Sequence, residues 1–379
     1  MEDMGVERIV VTGATGFVGV NLVRRLLEDH PYARLTLLLR DEPDKKAADR
    51  AAEMLRRLGV NAAARERVEA IAADVTRERC GIAAPVYDAL AAHTTRVIHC
   101  AASIRFDERL AAARQVNVEG TRHVLALAQA AHAHGTLKRF VYVGTAYVAG
   151  ERTGLVREDE LDAGQRFRNS YEQSKCEAEQ LVRAHRDDLP IIILRPSIIV
   201  GDSRTGETSS FKMLYWPLKM YARRLWRTAP GYPDAIIDIV PVDFVTAAIA
   251  HLAFDPRAAG RTVHLCAGPA AQATVHEVAE RASAFFGVPA PRYIDPVLFW
   301  RLIHPLLVVF LWGRKRRVVK DGQVYRSYLS MRMAFDTTVA EDLLGPAGIR
   351  PPHVMDYLDR LLTFCRDSNW GHREPARGR

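Results

Sequence analysis

Short runs of β-branched and aliphatic residues alternate along the first half of the chain with longer amphipathic segments. The runs cover residues 8–11, 35–39, 67–75, 96–103, 138–143 and 191–196. Apolar runs of this length, bounded by turn residues, are typical of strands that are buried on both faces. Because helical segments separate them, the pattern predicts an α/β fold built on a doubly wound parallel sheet.

Three glycines follow the first predicted strand directly, at positions 13, 16 and 19. Apolar residues then recur at helical spacing from Phe17 to Leu27. A strand, a glycine turn and a helix are the context that a dinucleotide fingerprint requires, with the phosphates at the helix N-terminus. We therefore predict a Rossmann-type nucleotide site here. The alternative is a glycine-rich turn without a ligand.

The regular alternation of predicted strands and helices ends after residue 201. Residues 201–209 have loop composition, 211–226 predict an aromatic and basic helix, and 236–243 a short strand that enters a helix with Asp243 as N-cap. Residues 262–265 predict a last strand, and 274–285 a capped helix. We expect a nucleotide-binding domain over 1–265, with a substrate-lobe insertion at about 201–242. A smaller C-terminal substrate or lid lobe over 266–368 and a disordered tail over 369–379 would follow.

An almost wholly apolar segment covers residues 296–312, and Arg314, Lys315, Arg316 and Arg317 follow it. A membrane-spanning helix needs about 20 apolar residues, and this run is shorter and interrupted by Arg301 and Pro305. Two interpretations stay open. The segment forms a lid or tunnel wall over the substrate, or it anchors the protein at a membrane surface whose anionic headgroups meet the basic cluster.

Composition limits the partners and the compartment. The net charge of +8 suits phosphorylated cofactors, coenzyme A, an acyl carrier protein or an anionic membrane face. No nucleic-acid-binding motif accompanies this charge, so we expect no nucleic acid partner. Five scattered cysteines and the lack of a signal-peptide pattern indicate a cytoplasmic protein with reduced thiols and no metal site. We expect a monomer or homodimer.

The strand ends predict cofactor contacts. Arg40, directly after the second strand, favours the 2′-phosphate of NADPH over NADH, unless Asp41 reaches the ribose instead. Asp74 ends the third strand, either facing an adenine or only closing a turn. The small residues Ala101 and Ala102 let a cofactor pass close to the fourth strand's exit.

Candidate catalytic residues follow the fifth strand. Thr145 lies at its carboxyl end, where side chains point into the ligand crevice of such a sheet. Tyr171 and Lys175 are four residues apart and so share one helix face. Asn117, flanked by valines, is either a satisfied core amide or a residue that kinks its helix and holds a water. We expect the charge of Lys175 to lower the pKa of the Tyr171 phenol.

These motifs, in this order, resemble the extended short-chain dehydrogenases/reductases. The stretches at 12–19, 99–107, 117–121, 143–147, 169–171 and 195–206 resemble more narrowly the fatty acyl-CoA reductase and thioester reductase branch, the male-sterility-type proteins. The resemblance covers about residues 8–265. Gly144 departs from it, because that branch usually has serine before the catalytic threonine, and the region after residue 270 matches no reductase tail.

The resemblance implies an NADPH-dependent reductase of a fatty acyl thioester, giving aldehyde or alcohol. Tyr171 would be the acid, Lys175 would hold the nicotinamide ribose, Thr145 would bind the oxyanion, and Asn117 would hold a water. The expected cofactor-binding residues are Thr12, Gly13, Thr15, Gly16, Phe17, Val18, Gly19, Arg40, Asp74, Val75, Ala101, Ala102, Tyr171, Lys175, Pro196 and Ser197. Alternatives are an epimerase, dehydratase or hydroxysteroid-type dehydrogenase, or a non-catalytic nucleotide-binding regulatory or membrane assembly protein.

Overall fold

The computed structural model describes residues 6–225, 228–310, 312–313, 319 and 330–373. Its strands are β1 (Arg8–Thr12), β2 (Arg34–Leu39), β3 (Val68–Ala72), β4 (Arg96–His99), β5 (Arg139–Val143), β6 (Gly154–Val156), β7 (Ile191–Pro196), β8 (Ile198–Val200), β9 (Thr228–Pro230), β10 (Ile236–Ile237), β11 (Ile239–Pro241), β12 (Thr262–Leu265), β13 (Ala273–Thr274), β14 (Arg292–Ile294) and β15 (Met333–Phe335).

The α-helices of the described residues are α1 (Phe17–Asp29), α2 (Ala47–Arg57), α3 (Ala62–Arg65), α4 (Ala84–His93), α5 (Leu110–Arg114), α6 (Gly120–Ala133), α7 (Ser170–Arg183), α8 (Tyr215–Ala222), α9 (Val242–Leu252), α10 (Gly268–Ala271), α11 (Val275–Phe286), α12 (Pro296–Leu298), α13 (His304–Phe310), α14 (Thr338–Leu344) and α15 (Leu358–Asp367). Two π-helical turns, Gln115–Glu119 and Phe299–Ile303, join α5 to α6 and α12 to α13.

The central sheet has seven strands in the order β12-β7-β5-β4-β1-β2-β3, and every pair is parallel. Helices α1 and α9 pack on one face, where Leu22 and Ile249 are fully buried. Helices α4, α6 and α7 pack on the other, around Leu127 and Val182. Helices on both faces explain why the strands read as continuous apolar runs. The predicted doubly wound α/β fold is confirmed.

The strand order reverses between β1 and β4, since the chain builds outwards from β1 in both directions. In open α/β sheets, ligands bind at such a switch point, beyond the carboxyl ends of the strands. Those ends belong to β1, β4, β5 and β7. The fold therefore directs the glycine turn after β1 and the loops after β4 and β5 into one crevice.

A smaller lobe lies beside this crevice. It combines α8, α11 and α15 with the two-stranded pairs β8–β11, β9–β14 and β10–β13. Its own core contains Tyr215, Tyr357 and Leu361, which are at most 2% exposed. Trp370 is also buried and lies beside Phe286, although the sequence places it in the polar tail. Residues 374–379 lie outside the described residues.

Two local predictions for this region are wrong. The helix expected over residues 211–226 is regular only over Tyr215–Ala222. Asp243 is not an N-cap, because α9 begins one residue earlier and its N-cap is Pro241. The Asp243 carboxylate instead accepts hydrogen bonds from the backbone N–H and the hydroxyl of Ser203, at 2.9 and 2.7 Å. It thereby stabilises the loop after β8.

The apolar segment is helical from Pro296 to Phe310, and much of its described part is exposed. Phe299 and Trp300 are buried, whereas Leu306, Phe310 and Trp312 are 57%, 73% and 83% exposed. The π-helical turn immediately precedes His304 and Pro305, where proline removes a backbone donor. No helix in the described part of the chain is long and apolar enough to cross a membrane. The basic cluster at 314–317 lies outside the described residues.

Candidate active site

One crevice of about 1960 Å³ opens over the carboxyl ends of β1, β4, β5 and β7. It brings together residues that are far apart in the sequence. Eleven of the predicted site residues line it: Gly13, Gly16, Phe17, Val18, Gly19, Ala102, Thr145, Tyr171, Lys175, Pro196 and Ser197. The glycine turn and the candidate catalytic residues therefore face the same space.

Steric limits explain two of the three glycines in the turn. Gly13 has φ +70°, and a Cβ there would lie 2.6 Å from the Ala101 nitrogen. A Cβ on Gly19 would lie 2.1 Å from the Gly13 oxygen, so α1 can pack on the turn only with glycine at that position. Gly16 differs, because its Cβ would meet only the Gly13 oxygen, at 3.2 Å. The fold constrains Gly16 less than Gly13 and Gly19, although a Cβ there would still require the Gly13 carbonyl to shift slightly.

The exit of β2 carries an arginine pair. Arg40 is exposed, and its carbonyl accepts a hydrogen bond of 2.6 Å from the guanidinium of Arg50 on α2. The same guanidinium reaches the Thr15 hydroxyl at 3.5 Å and pairs with Glu42 at 2.9 Å. The Asp41 carboxylate accepts from the Ala47 backbone N–H at 2.9 Å, which occupies it at the start of α2. Arg50 thus links the second strand to the glycine turn, and sequence reasoning missed it.

Several predicted cofactor residues do not line the crevice. Thr12 is fully buried, and its hydroxyl bonds to His99 Nδ1 and accepts from the Ala101 N–H, so it joins β1 to β4. Asp74 accepts from both the N–H and the hydroxyl of Thr76, at 3.0 and 2.8 Å. That is the bonding of a turn aspartate. The Val75 carbonyl accepts a hydrogen bond of 2.8 Å from the ring of His123.

Tyr171 lies one residue into α7, whose N-cap Asn169 accepts from the Glu172 N–H. Its ring lies 5.6 Å from that of Phe106, centroid to centroid, and the Thr145 side chain lies near enough to the phenol to influence its pKa. Burial raises the pKa of Tyr171 to about 12, although the Thr145 side chain opposes the rise. The phenol is therefore protonated at neutral pH, which is the form that can donate a proton.

Lys175 lies one turn further along α7. Its ammonium donates to the Val143 carbonyl at 2.9 Å and lies 4.4 Å from the centroid of the Tyr142 ring. Burial lowers the pKa of Lys175 to about 8, with Glu179 opposing. The expectation that Lys175 lowers the Tyr171 pKa is wrong for this structure. Desolvation dominates the phenol, while the ammonium is engaged by a backbone carbonyl.

Asn117 lies in the π-helical turn between α5 and α6 and is 1% exposed. Its amide accepts from the Ser103 N–H at 2.8 Å and donates to the Ser103 carbonyl at 3.1 Å and the Ser174 hydroxyl at 2.9 Å. Both interpretations of this residue therefore have support, since the amide is satisfied and the helix is irregular. The geometry makes Asn117 a positioning residue that connects the β4 exit to α7. Its role in holding a water stays a prediction.

Sequence reasoning missed much of the crevice wall. Residues that it did not select are Ile104, Arg105, Phe106, Asp107, Tyr147, Ile198, Ile199, Ser210, Lys212, Met213 and Trp216. For Lys212, Met213 and Trp216, the aromatic and basic composition of 211–226 was the available signal. Nothing in the local pattern shows that the loop after β4 faces that segment across the crevice.

A dinucleotide fits these residues. The turn leaves an open path at Gly16, and α1 begins there without a side-chain cap, so its first N–H groups are available for phosphate. The first turn of α1 also carries no acidic residue that would repel an anion. Tyr171 and Lys175 line the same crevice further along.

Comparison with known proteins agrees with this geometry. Residues 11–249 match the family model described as male sterility protein. The chain is 31% identical over 98% of its length to the glycine betaine reductase ATRR of Emericella nidulans, and 27% identical over 65% to the fatty acyl-CoA reductase wat of Drosophila melanogaster. It spans 29% and 54% of those two relatives.

Among solved structures, the terminal R domain of the myxalamid PKS-NRPS pathway superposes with a TM-score of 0.83 at 26% identity. The superposition covers 97% of this chain and 92% of the R domain, so it extends into the region after residue 270 that the sequence resemblance left unmatched. The match to more than half of the chain, together with the glycine turn and the Tyr171–Lys175 pair, shows that the chain belongs to the male sterility family of extended short-chain dehydrogenases/reductases, which are NAD(P)-dependent reductases.

Proposed function

We propose that this chain uses NADPH to reduce a lipid-type acyl thioester to an aldehyde, which a second reduction converts to the alcohol. The observation that carries the proposal is that Tyr171, Thr145 and Lys175 share one crevice with the glycine turn. Phe106, Met213 and Trp216 also line the crevice, so the reacting carbonyl would sit between polar catalytic groups and apolar surface. That division suits a substrate with a polar thioester and an aliphatic chain.

The catalytic residues have distinct tasks in this account. Bound NADPH supplies a hydride to the thioester carbonyl carbon. Tyr171, kept neutral by burial, donates its proton to the carbonyl oxygen as negative charge develops there. The Thr145 hydroxyl donates a hydrogen bond to the same oxygen. The Lys175 ammonium, fixed by the Val143 carbonyl, would hold the nicotinamide ribose hydroxyls. The hemithioacetal that results then loses its hydroxyl proton and breaks its C–S bond, and the departing thiolate takes up a proton. Thioester, NADPH and a proton thus give aldehyde, thiol and NADP⁺.

The preference for NADPH rests on the end of β2. Arg40 is exposed there, and the guanidinium of Arg50 contacts both the Arg40 carbonyl and the Thr15 hydroxyl. Two guanidinium groups suit a 2′-phosphate, since arginine matches phosphate oxygens in charge and geometry. Asp41, which would favour NADH if it bound the ribose, is occupied by the Ala47 N–H and Lys46.

We also propose which carrier holds the acyl group and where in the cell the protein acts. The R-domain relative belongs to a PKS-NRPS pathway, which supports a carrier-protein thioester as an alternative to acyl-CoA. The exposed apolar side chains of α13 and the following basic cluster support peripheral membrane contact from the cytoplasmic side. Such contact would suit a product that partitions into lipid.

A screen of NADPH consumption with product identification tests the proposal. The substrates are acyl-CoA thioesters of 4 to 16 carbons, fatty aldehydes and sugar nucleotides, with the Tyr171→Phe variant as control. Aldehyde or alcohol from thioesters is the expected result. Turnover of sugar nucleotides alone would instead establish the epimerase or dehydratase alternative, and no turnover of any substrate would favour a non-catalytic protein.

A further inference from the structure

The small lobe contains a second cavity, of about 820 Å³, that no catalytic residue lines. Helix α8 forms one side with Leu218 and Tyr221, and α11 forms the other with Val278 and Ala279. Strand β9 closes it with Thr228 and Ala229, and β14 closes it with Tyr293. Its lining residues include no charged side chain.

This cavity adjoins the catalytic crevice. Ile198 and Met213 line both spaces, so the two cavities meet at these side chains. Ile198 is held in β8 by pairing with Ile239. Met213 is half-buried and has φ +46°, a backbone conformation that residues other than glycine rarely adopt. Its unbranched side chain is the more adaptable of the two.

From this arrangement we infer that the cavity, named here the alkyl pocket, takes the aliphatic chain of the acyl substrate, and that Met213 is the gate between it and the crevice. The inference rests on the proposed function. The surface of the cavity is almost wholly apolar, so each methylene that leaves water for it gains free energy. Small side chains at Ala229 and Ala279 leave the volume free on opposite walls.

The pocket predicts a dependence on chain length. Each methylene that enters it raises kcat/KM by up to about fourfold, which is the transfer free energy of a buried methylene expressed as a ratio. The gain stops when the pocket is full. Decanoyl-CoA and butyryl-CoA are suitable probes, because only the longer chain extends past Met213 into the pocket.

Ala279→Leu tests the assignment by filling the pocket from α11. The matched control is Ala284→Leu, which adds the same atoms to an exposed position on the same helix. We expect the ratio of kcat/KM for decanoyl-CoA to that for butyryl-CoA to fall about tenfold or more in Ala279→Leu. In Ala284→Leu the ratio should match the wild type. Ala229→Val repeats the test from the opposite wall if Ala279→Leu does not fold.

Calorimetric binding of 1-decanol separates this inference from the proposed function, since it requires no reaction. Wild type and Ala284→Leu should bind 1-decanol, and Ala279→Leu should bind it at least tenfold more weakly. That pattern without any thioester turnover would contradict the proposed function and support the alkyl pocket. Thioester turnover with an unchanged chain-length ratio in Ala279→Leu, or equal 1-decanol binding by all three proteins, would overturn the pocket alone.

Discussion

The Lys175 ammonium donates to the backbone carbonyl of Val143 at 2.9 Å, which fixes the catalytic helix α7 to the carboxyl end of β5. Val143 immediately precedes the loop that carries Thr145. One hydrogen bond therefore ties the cation to the strand end that Thr145 follows. It also keeps the ammonium in a buried place, where its charge is costly.

This burial predicts an alkaline limb in the pH profile. Because the pKa of Lys175 is lowered to about 8, its charge is present below that pH and is lost above it. We expect kcat/KM to be level from pH 6 to 7.5 and to fall about tenfold per pH unit above 8. A flat wild-type profile to pH 9.5 would contradict the role of Lys175. The control is Lys175→Arg, whose guanidinium stays charged, so any residual activity should lack this limb.

The glycine turn predicts a separation of stability from binding. Gly16→Ala adds a methyl that meets only one atom, whereas Gly19→Ala adds one that would overlap the Gly13 carbonyl. We expect Gly16→Ala to keep the melting temperature within about 1 °C while weakening NADPH binding about tenfold or more. Gly19→Ala should lower both the melting temperature and the affinity for NADPH. Gly345→Ala is the control, since a Cβ there meets nothing within 4 Å. Unchanged NADPH affinity in Gly16→Ala would place the phosphates elsewhere.

The arginine pair predicts the cofactor preference. Removing Arg40 or Arg50 deletes a charge-assisted contact to the 2′-phosphate, which is worth about 1.5–3 kcal/mol. We expect Arg40→Ala and Arg50→Ala each to lower kcat/KM for NADPH roughly tenfold to a hundredfold, with little change for NADH. Arg57→Ala, on the same helix but paired with Glu53, is the control. Equal losses with both cofactors would show that the arginines only stabilise the fold.

The apolar segment predicts salt-sensitive binding to anionic vesicles. Leu306, Phe310 and Trp312 are exposed, and Arg314–Arg317 could each add on the order of 1 kcal/mol against an anionic leaflet. We expect wild type to co-sediment with such vesicles at low salt and to be released at high salt. The variant with all four basic residues changed to Gln should stay in the supernatant. If both proteins sediment equally, the basic cluster is not the anchor.

The sequence predicted those parts of the fold that local patterns determine. The six apolar runs became strands of the central sheet, and burial on both faces explains the lack of polar alternation in the inner ones. Thr145, Tyr171 and Lys175 were found because a parallel sheet brings the ends of its strands to one edge. Asp243 was misassigned because a helix N-terminus and a loop-stabilising carboxylate have the same local pattern.

The rest depended on tertiary packing. Arg50 lies ten residues after Arg40 on an ordinary amphipathic helix, and only the fold brings it back to Thr15. The pKa of Tyr171 followed desolvation, which spacing along a helix does not reveal. The alkyl pocket forms between α8 and α11, two helices about 60 residues apart, so neither helix alone indicates it.

The most direct test of the central claim is the rate of NADPH-dependent reduction of decanoyl-CoA by Tyr171→Phe, with NADPH binding and the melting temperature measured on the same preparation. The substitution removes the phenolic proton and keeps the ring beside Phe106. The account predicts a fall in kcat of about 10²-fold to 10⁴-fold with NADPH affinity and melting temperature unchanged. A Tyr171→Phe enzyme with wild-type kcat, in an assay where chemistry limits turnover, would contradict it.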